Sequence, residues 1–416
     1  MINFCIFEDS HYKNLLPLTE ARPIYTCLLG VSTLYDKFES MFGFGNITLH
    51  CRSYLKATLK EMYKGVNINN INAGASCFFY NGRVILNQSL KKRLTSIDRN
   101  ENTLITYQGN VVAIYLKGDL LSIMIQCLVK PIDNGELIKQ FRSYCTAIEL
   151  ETCDIINTPD DLIYYNNDYI TQDFESASDK AVIKGEISPF TVIYNENNVF
   201  IDQHVNIEDF VVIDATKGPV YIENDVEIQA HSRLEGPLYV GHHTKILGGR
   251  ISQSSIGSFC KVMGEVSNSI IESYTNKAHA GFLGHSYVGR WVNLGAHTTV
   301  SNLKNTYSPV TVQYKNKVVN TSRQFLGVFI GDFVKTSIGT LLNCGTVVSL
   351  GSLVFDHDIS NKYYPVFSWG FQKRKLYDLD KFVDTMRVIM KRRNCELTQN
   401  QIDLFHFVKK NSSKHE

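Results

Sequence analysis

Residues 222–246 read Ile222-Glu223-Asn224-Asp225-Val226-Glu227-Ile228-Gln229-Ala230-His231-Ser232-Arg233-Leu234-Glu235-Gly236-Pro237-Leu238-Tyr239-Val240-Gly241-His242-His243-Thr244-Lys245-Ile246. An aliphatic side chain returns every six residues, at Ile222, Ile228, Leu234, Val240 and Ile246. A helix stripe repeats about every 3.6 residues and a hairpin ladder every 2, so neither fits. A period of six fits a parallel β-helix in which three hexads make one triangular coil. Coils stack at the strand spacing of about 4.8 Å, which aligns the inward side chains as apolar columns.

The pattern extends both ways. Upstream, Ile201, Ile207 and Ile213 keep the spacing before a three-residue slip. Downstream, a second run is expected at Ile270, Asn276, Phe282, Val288, Leu294 and Val300, and a third at Ile338, Cys344 and Leu350. Small or acidic residues follow many of them, among them Asp202, Glu223, Gly241, Gly289, Gly295, Gly339, Gly345 and Gly351, where the chain must turn. Two stretches break the hexads: 248–255, and 301–324, where a hairpin is predicted from 310–314 and 318–320 around a turn at 315–317. A solenoid carries such insertions outside its coil, often at a binding face. Residues 376–410 return to helical spacing, with Leu379, Phe382, Val383, Met386, Ile389 and Met390 in one stripe and Thr398 capping a last helix. They are expected to cover the open end of the solenoid, and Lys391-Arg392-Arg393 reads as a solvated helix end.

Residues 1–175 read as mixed α/β. Strands are predicted at 3–7, 47–51, 75–80, 84–86 and 111–116, and an amphipathic helix at 26–39. Asn81-Gly82 between apolar runs predicts a hairpin. The resulting division is an α/β domain 1–178, a β-helix 179–371 and a helical tail 372–416.

The 416 residues carry 42 Lys+Arg against 41 Asp+Glu, a net charge of +1, which excludes a globally polycationic nucleic-acid or membrane-surface binder. The ten cysteines are scattered without a CxxC pair and read as reduced thiols. The most apolar stretch, 111–129, is interrupted by Lys117 and Asp119, so no spanning helix is predicted. The first residues have no basic n-region and no small-residue cleavage site, and a cytoplasmic protein without nucleic-acid or membrane partners is expected.

The block His279-Ala280-Gly281-Phe282-Leu283-Gly284-His285-Ser286-Tyr287-Val288-Gly289-Arg290-Trp291-Val292-Asn293-Leu294-Gly295-Ala296, followed by Ser301-Asn302-Leu303-Lys304-Asn305, resembles a known family. It is similar to the bifunctional N-acetylglucosamine-1-phosphate uridylyltransferase/glucosamine-1-phosphate acetyltransferase, in its divergent bacterial GlmU-like sugar nucleotidyltransferase branch. Leu15-Leu16-Pro17-Leu18-Thr19 with Arg22-Pro23, Asn81-Gly82-Arg83, Gly218-Pro219-Val220-Tyr221-Ile222, Gly264-Glu265-Val266-Ser267 and Phe367-Ser368-Trp369-Gly370 resemble that branch too. The resemblance implies a left-handed β-helix that forms a homotrimer and transfers an acetyl group from acetyl-CoA to an amino-sugar phosphate. That reaction serves UDP-N-acetylglucosamine and cell-envelope precursor synthesis.

By this resemblance His279 is the general base, Asn302 lies beside it, Asn293 holds the sugar, and Ala296 and Thr340 contact the cofactor. An ammonium is not a nucleophile, so a proton acceptor is required, and histidine's ordinary pKa of about 6.5 suits the task. Lys277, Lys304 and Arg250 are the candidate phosphate cations. The sequence departs from the family pattern where Phe282 replaces a tyrosine and where 264–267 holds no cation; Lys261 is a candidate replacement.

The family's Gly-rich phosphate loop is replaced by Phe7-Glu8-Asp9-Ser10-His11-Tyr12-Lys13-Asn14, which has no glycine. Asp9 is a candidate Mg²⁺ ligand or a turn cap, and Arg22 a candidate phosphate partner or a partner of Glu20 or Asp9. Nucleotidyl transfer from UTP is therefore expected from the resemblance alone. Two other readings stay open: a zinc enzyme of carbonic-anhydrase type using His243, His279 and His285, and a non-enzymatic sugar-nucleotide-binding scaffold.

Overall fold

The computed structural model describes residues 3–43, 46–71, 74, 76–177, 181–315, 317–355, 361–370 and 375–412. The expected boundaries after residues 178 and 371 lie outside the described residues, as does Asn316 of the predicted turn.

Strands β1 (Asn3–Phe7), β2 (Asn46–Leu49), β3 (Asn67–Ile68), β4 (Ser76–Asn81), β5 (Thr103–Tyr107), β6 (Asn110–Lys117) and β7 (Thr146–Glu149) form one sheet in the order β3-β2-β1-β4-β6-β5-β7. β1 pairs in parallel with β2 and β4, and β6 runs antiparallel to both its neighbours. Both faces are buried, so β1 is apolar throughout: Phe4 and Ile6 enter one core, Cys5 and Phe7 the other.

Two expectations fail here. Residues 26–39 are not one helix. Leu28–Leu29 and Ser32–Thr33 pair as a small hairpin around Gly30 (φ +66°), and the helix Leu34–Phe42 starts after Thr33, whose side chain caps it together with Asp36. Asn81-Gly82 is not a hairpin turn either: β4 pairs with β1 and β6, and Val84 bridges Ile155.

The C-terminal half is a β-helix of short parallel strands, as the period predicts. Its first face stacks Val220–Ile222, the end of Ser232–Val240, the end of Lys245–Ile256, Ile270–Ile271, Tyr287–Val288, Phe329–Ile330, Val347–Val348 and Tyr363–Tyr364. The second carries Lys245, Lys261, Asn276, Asn293 and Lys335 in register. The third carries Arg233, Arg250, Glu265 and Phe282 in register, followed by Thr299–Val300 paired with Leu341–Leu342.

The first hexad run points inward as read, but the phase of the later runs does not. Ile271 and Leu283 line the solenoid core, not Ile270 and Phe282, and Lys277 rather than Asn276 takes the inward place between them. The step from Leu283 to Val288 is one residue short of a hexad, which brings Val288, Leu294 and Val300 back inward as predicted. In the third run the inward residues are Leu342 and Val348; Ile338 is 77% exposed, and Cys344 and Leu350 pack outside the coil. The glycines after these three have φ of +68°, +71° and +67°, so they are the left-handed corner residues themselves.

The first face buries its outward side chains too. Tyr239, Ile270, Tyr287, Phe329 and Val347 belong to the core of the N-terminal domain, which lies along this face. The 301–326 insertion folds back to the same place through Val310 and Leu326, and its hairpin is Thr311–Tyr314 with Lys317–Asn320. The tail helices, Leu379–Lys391 and Gln399–Ser412, pack on a corner column of Trp291, Phe333, Leu350 and Phe367. Phe407 also stacks on Tyr54 of the N-terminal domain, with ring centroids 4.3 Å apart.

Candidate functional site

Most of the predicted acyl-site residues fall on two faces of the β-helix and the corner between them. His279, Ala296 and Thr340 belong to that corner in three successive coils: His297 N donates to the Ala280 carbonyl (3.0 Å), and Gly339 N to the Ala296 carbonyl (2.7 Å). His279 is exposed. Asn293 is exposed on the second face and accepts from Asn276 Nδ2 at 3.4 Å. Thr340 is buried, and its hydroxyl donates to the Ser337 carbonyl at 2.9 Å.

On the third face Phe282, Thr299, Asn302, Leu303, Leu341 and Asn343 line a cavity of about 450 Å³. Among the described residues its lining carries no charged side chain. Asn302 is not bonded to His279. Its Nδ2 lies 2.9 Å from Nδ1 of His285, at the opposite edge of the strand Phe282–Gly284. A β-carbon on Gly284 would come within 2.6 Å of that same Nδ2, so the glycine makes room for the amide.

The three candidate cations differ. Arg250 is largely exposed on the third face and bonded to Glu235 (2.7 Å). Lys304 Nζ donates to the Pro309 carbonyl at 2.6 Å. Lys277 is 2% exposed, and its Nζ donates to the carbonyls of Met263 (2.8 Å) and His279 (2.9 Å). It therefore ties the corner that carries His279 to the preceding coil and does not reach solvent. Burial pushes its pKa down to about 8. The folded chain thus releases this proton near pH 8 and the unfolded chain near about 10.4, so stability rises with pH between them. Urea melts at pH 7.5 and 10 should show the wild type gaining stability relative to Lys277→Met; an unchanged gap would refute the buried ammonium.

The expected nucleotide site is filled by the chain's own ion pairs. Glu8 is held by Arg52 through Nε (2.9 Å) and Nη2 (3.0 Å). Asp9 is fully buried and accepts from Arg83 Nε and Nη2 (3.0 and 2.8 Å), Asn81 Nδ2 (2.9 Å), Asn134 Nδ2 (2.7 Å) and the His11 amide (3.1 Å). Burial alone would raise its pKa, but Arg83 and the two amides hold it below the ordinary carboxylate value. With both oxygens occupied in this way, Asp9 does not fit Mg²⁺. Arg22 pairs neither with Glu20 nor with Asp9. It crosses to the β-helix, with Nη1 3.0 Å from Glu272 Oε1 and Nη2 3.0 Å from Asp332 Oδ1.

The zinc reading shares its three histidines between subunits; within one chain they have other surroundings. His243 packs on Phe259 near Asp225, and His285 is bonded to Asn302. Among the described residues no three His, Cys, Asp or Glu side chains form a metal-holding group, and no helix is long and apolar enough to cross a membrane.

Sequence reasoning placed His285 only in that zinc trio and missed its bond to Asn302. A histidine one residue after the glycine facing Phe282 carries no signal of its partner. Asn343 and Leu341 were missed because they join the cavity only when their coil stacks on Thr299–Val300.

Residues 4–181 match the sugar nucleotidyl transferase family. The chain is similar to a bifunctional sugar-1-phosphate nucleotidylyltransferase/acetyltransferase of Sulfurisphaera tokodaii, 30% identical over 179 residues, which is 40% of this chain and 42% of that protein. It is also similar to the bifunctional protein GlmU of Methanococcus vannielii, 33% identical over 27% of each chain, and to that of Baumannia cicadellinicola, 23% identical over 47% of this chain and 42% of the relative. The chain spans less than half the length of these relatives.

Proposed function

We propose a function for this chain from the premise that it belongs to a divergent GlmU-like family, with a sugar nucleotidyl transferase domain at its N-terminus: it transfers an acetyl group from acetyl-CoA to the amine of an amino-sugar phosphate of the glucosamine-1-phosphate type. The observation that carries the reading is the third-face cavity lined by Phe282, Asn302 and Leu341; His279 lies three residues before Phe282 and Thr340 one before Leu341 in the chain. The exposed His279 accepts the proton as the amine nitrogen bonds the acyl carbon, and the carbon–sulfur bond breaks to release CoA as its thiol. A backbone or amide donor meets the oxyanion. Arg250 and Lys304 are the cations left for the phosphate, since Lys277 is enclosed. A homotrimer, with acetyl-CoA between subunits, and a cytoplasmic place in UDP-N-acetylglucosamine supply belong to the same proposal.

Asp9 is enclosed by Arg83 and two amides, and Arg22 is paired with Glu272 and Asp332, so neither is placed to hold Mg²⁺ or a nucleotide phosphate. In a thiol-release assay with acetyl-CoA and glucosamine-1-phosphate, His279→Ala should lower the rate roughly 10²–10⁴-fold, the usual worth of a general base. Equal release by both proteins would remove His279 from the mechanism, and no release by either would remove the acyl transfer itself.

A further inference from the structure

We propose that His285 is a positioning residue that sets which end of the Asn302 carboxamide faces the third-face cavity, so that the site is competent only while His285 is neutral. The proposal rests on the acyl-transfer reading for its activity arm, but its geometry is independent of that reading.

Asn302 presents Nδ2, a donor, to Nδ1 of His285 at 2.9 Å. Nδ1 must then be the acceptor, which puts the imidazole proton on Nε2. With its NH₂ end committed, the carboxamide is left with Oδ1 as the group free for the cavity it lines. That oxygen can take a hydrogen bond from an incoming N–H, either of an amine acceptor or of an amide arm. Protonation reverses the order. An imidazolium donates from both nitrogens, so Asn302 must offer Oδ1 to the ring and turn its NH₂ toward the ligand. A donor would then meet a donor.

The surroundings hold the ring in place and favour the neutral form. His285 stacks on Phe325 (centroids 5.5 Å apart) and lies against Tyr164 (6.5 Å) of the helix Pro159–Ser176. Its backbone is fixed on both sides: its N donates to the Ser267 carbonyl (3.0 Å), and its carbonyl accepts from Gly327 (2.8 Å). Tyr164 Oη donates to the Phe325 carbonyl at 2.7 Å, locking the stacking ring. Arg323 lies 3.9 Å over the Tyr164 ring and is paired with Asp160 and Asp161. From the preceding coil the facing groups are the uncharged Ser267 and Asn268. Among the described residues no carboxylate pairs with the imidazole to favour its charged form, and burial lowers its pKa from the ordinary histidine value.

The proposal also gives the N-terminal domain a part in the site that needs no nucleotide. Its helix supplies Tyr164 and Asp160, which hold Arg323 and Phe325 of the insertion against His285.

The test has two arms. In protein with ¹⁵N-labelled histidine at pH 7.5, His285 should show the Nε2–H tautomer, and Asn302→Leu should mix its tautomers. A Nδ1–H tautomer in the wild type overturns the proposal whether or not the protein transfers acyl groups. In the acetyl-CoA and glucosamine-1-phosphate assay, log kcat/KM of the wild type should fall at low pH more steeply, by one unit of slope, than that of His285→Gln. That variant keeps an acceptor but does not titrate, and should stay within a fewfold of wild type at pH 8. His285→Phe keeps the stack without the acceptor and should lose roughly tenfold at pH 8, the worth of about one hydrogen bond. Equal slopes in wild type and His285→Gln, or a full-rate His285→Phe, would also overturn it.

Discussion

Replacing Arg83 by methionine should cost the N-terminal domain about 3–5 kcal/mol, because it leaves a buried carboxylate without its counter-charge. Arg83 is 1% exposed and donates to Asp9, the Ile156 carbonyl (3.0 Å), Asn157 Oδ1 (2.8 Å) and Asn110 Oδ1 (2.8 Å). It therefore joins the end of β1 to the start of β6 and to the segment after β7. In the wild type Asp9 titrates below the ordinary carboxylate value, so its stabilisation is complete above about pH 4 and is lost as pH falls further. Without Arg83, burial dominates and the carboxyl titrates above that value, so the variant should be hurt most at neutral pH and least near pH 4. Urea melts followed by far-UV circular dichroism at both pH values check this. The double variant Arg83→Met with Asp9→Leu should recover part of the loss at pH 7, since no charge is left unpaired. A single variant within 1 kcal/mol of wild type at pH 7 would show that the Asp9 network is not a stabilising centre.

The β-helix was legible in the sequence because every coil must bury aliphatic side chains at a fixed interval. Its phase was less legible, for reasons that lie in particular residues. Ile270 and Ile271 are both apolar because one faces the N-terminal domain and the other the solenoid core. At the next hexad the inward residue is Lys277, so no aliphatic side chain marks the column. Lys277 was consequently read as a surface cation, although its hexad place encloses it. In the N-terminal domain the missing Gly-rich loop was visible, but what replaced it was not. The partners of Arg22 lie in the other domain, Asp332 being 310 positions away, and the acidic run Glu8-Asp9 does not say which arginines will meet it. The bond between Asn302 and His285 is equally silent, because it forms only when the 301–326 insertion closes onto the coil.

Arg22→Met should uncouple the two domains as well as destabilise them. Arg22 is 3% exposed between Glu272 and Asp332, and Glu272 also accepts from the Leu28 amide (3.0 Å), Tyr287 Oη (2.6 Å) and Arg290 Nε (3.1 Å). The segment 20–30 thus runs along the coils: Gly30 accepts from Ser255, Leu28 and Arg22 meet Glu272, Arg22 reaches Asp332, and Glu20 accepts from the Leu350 amide. Burial would raise the Glu272 pKa, but Arg22 and Arg290 bring it down to about 2. Its stabilisation is therefore present above the unfolded value of about 4.3 and lost as pH falls toward 2. Removing one member of such a buried cluster should cost about 3–5 kcal/mol. Both tryptophans, Trp291 and Trp369, lie in the β-helix, so their fluorescence follows that part alone, while circular dichroism follows both. In the wild type the shared core along the first face should make the two signals melt together. In Arg22→Met the dichroism transition should begin at lower urea than the fluorescence transition, because the N-terminal domain comes away first. Coincident, unshifted transitions in the variant would mean that the apolar contacts of the first face hold the domains together without the ion cluster.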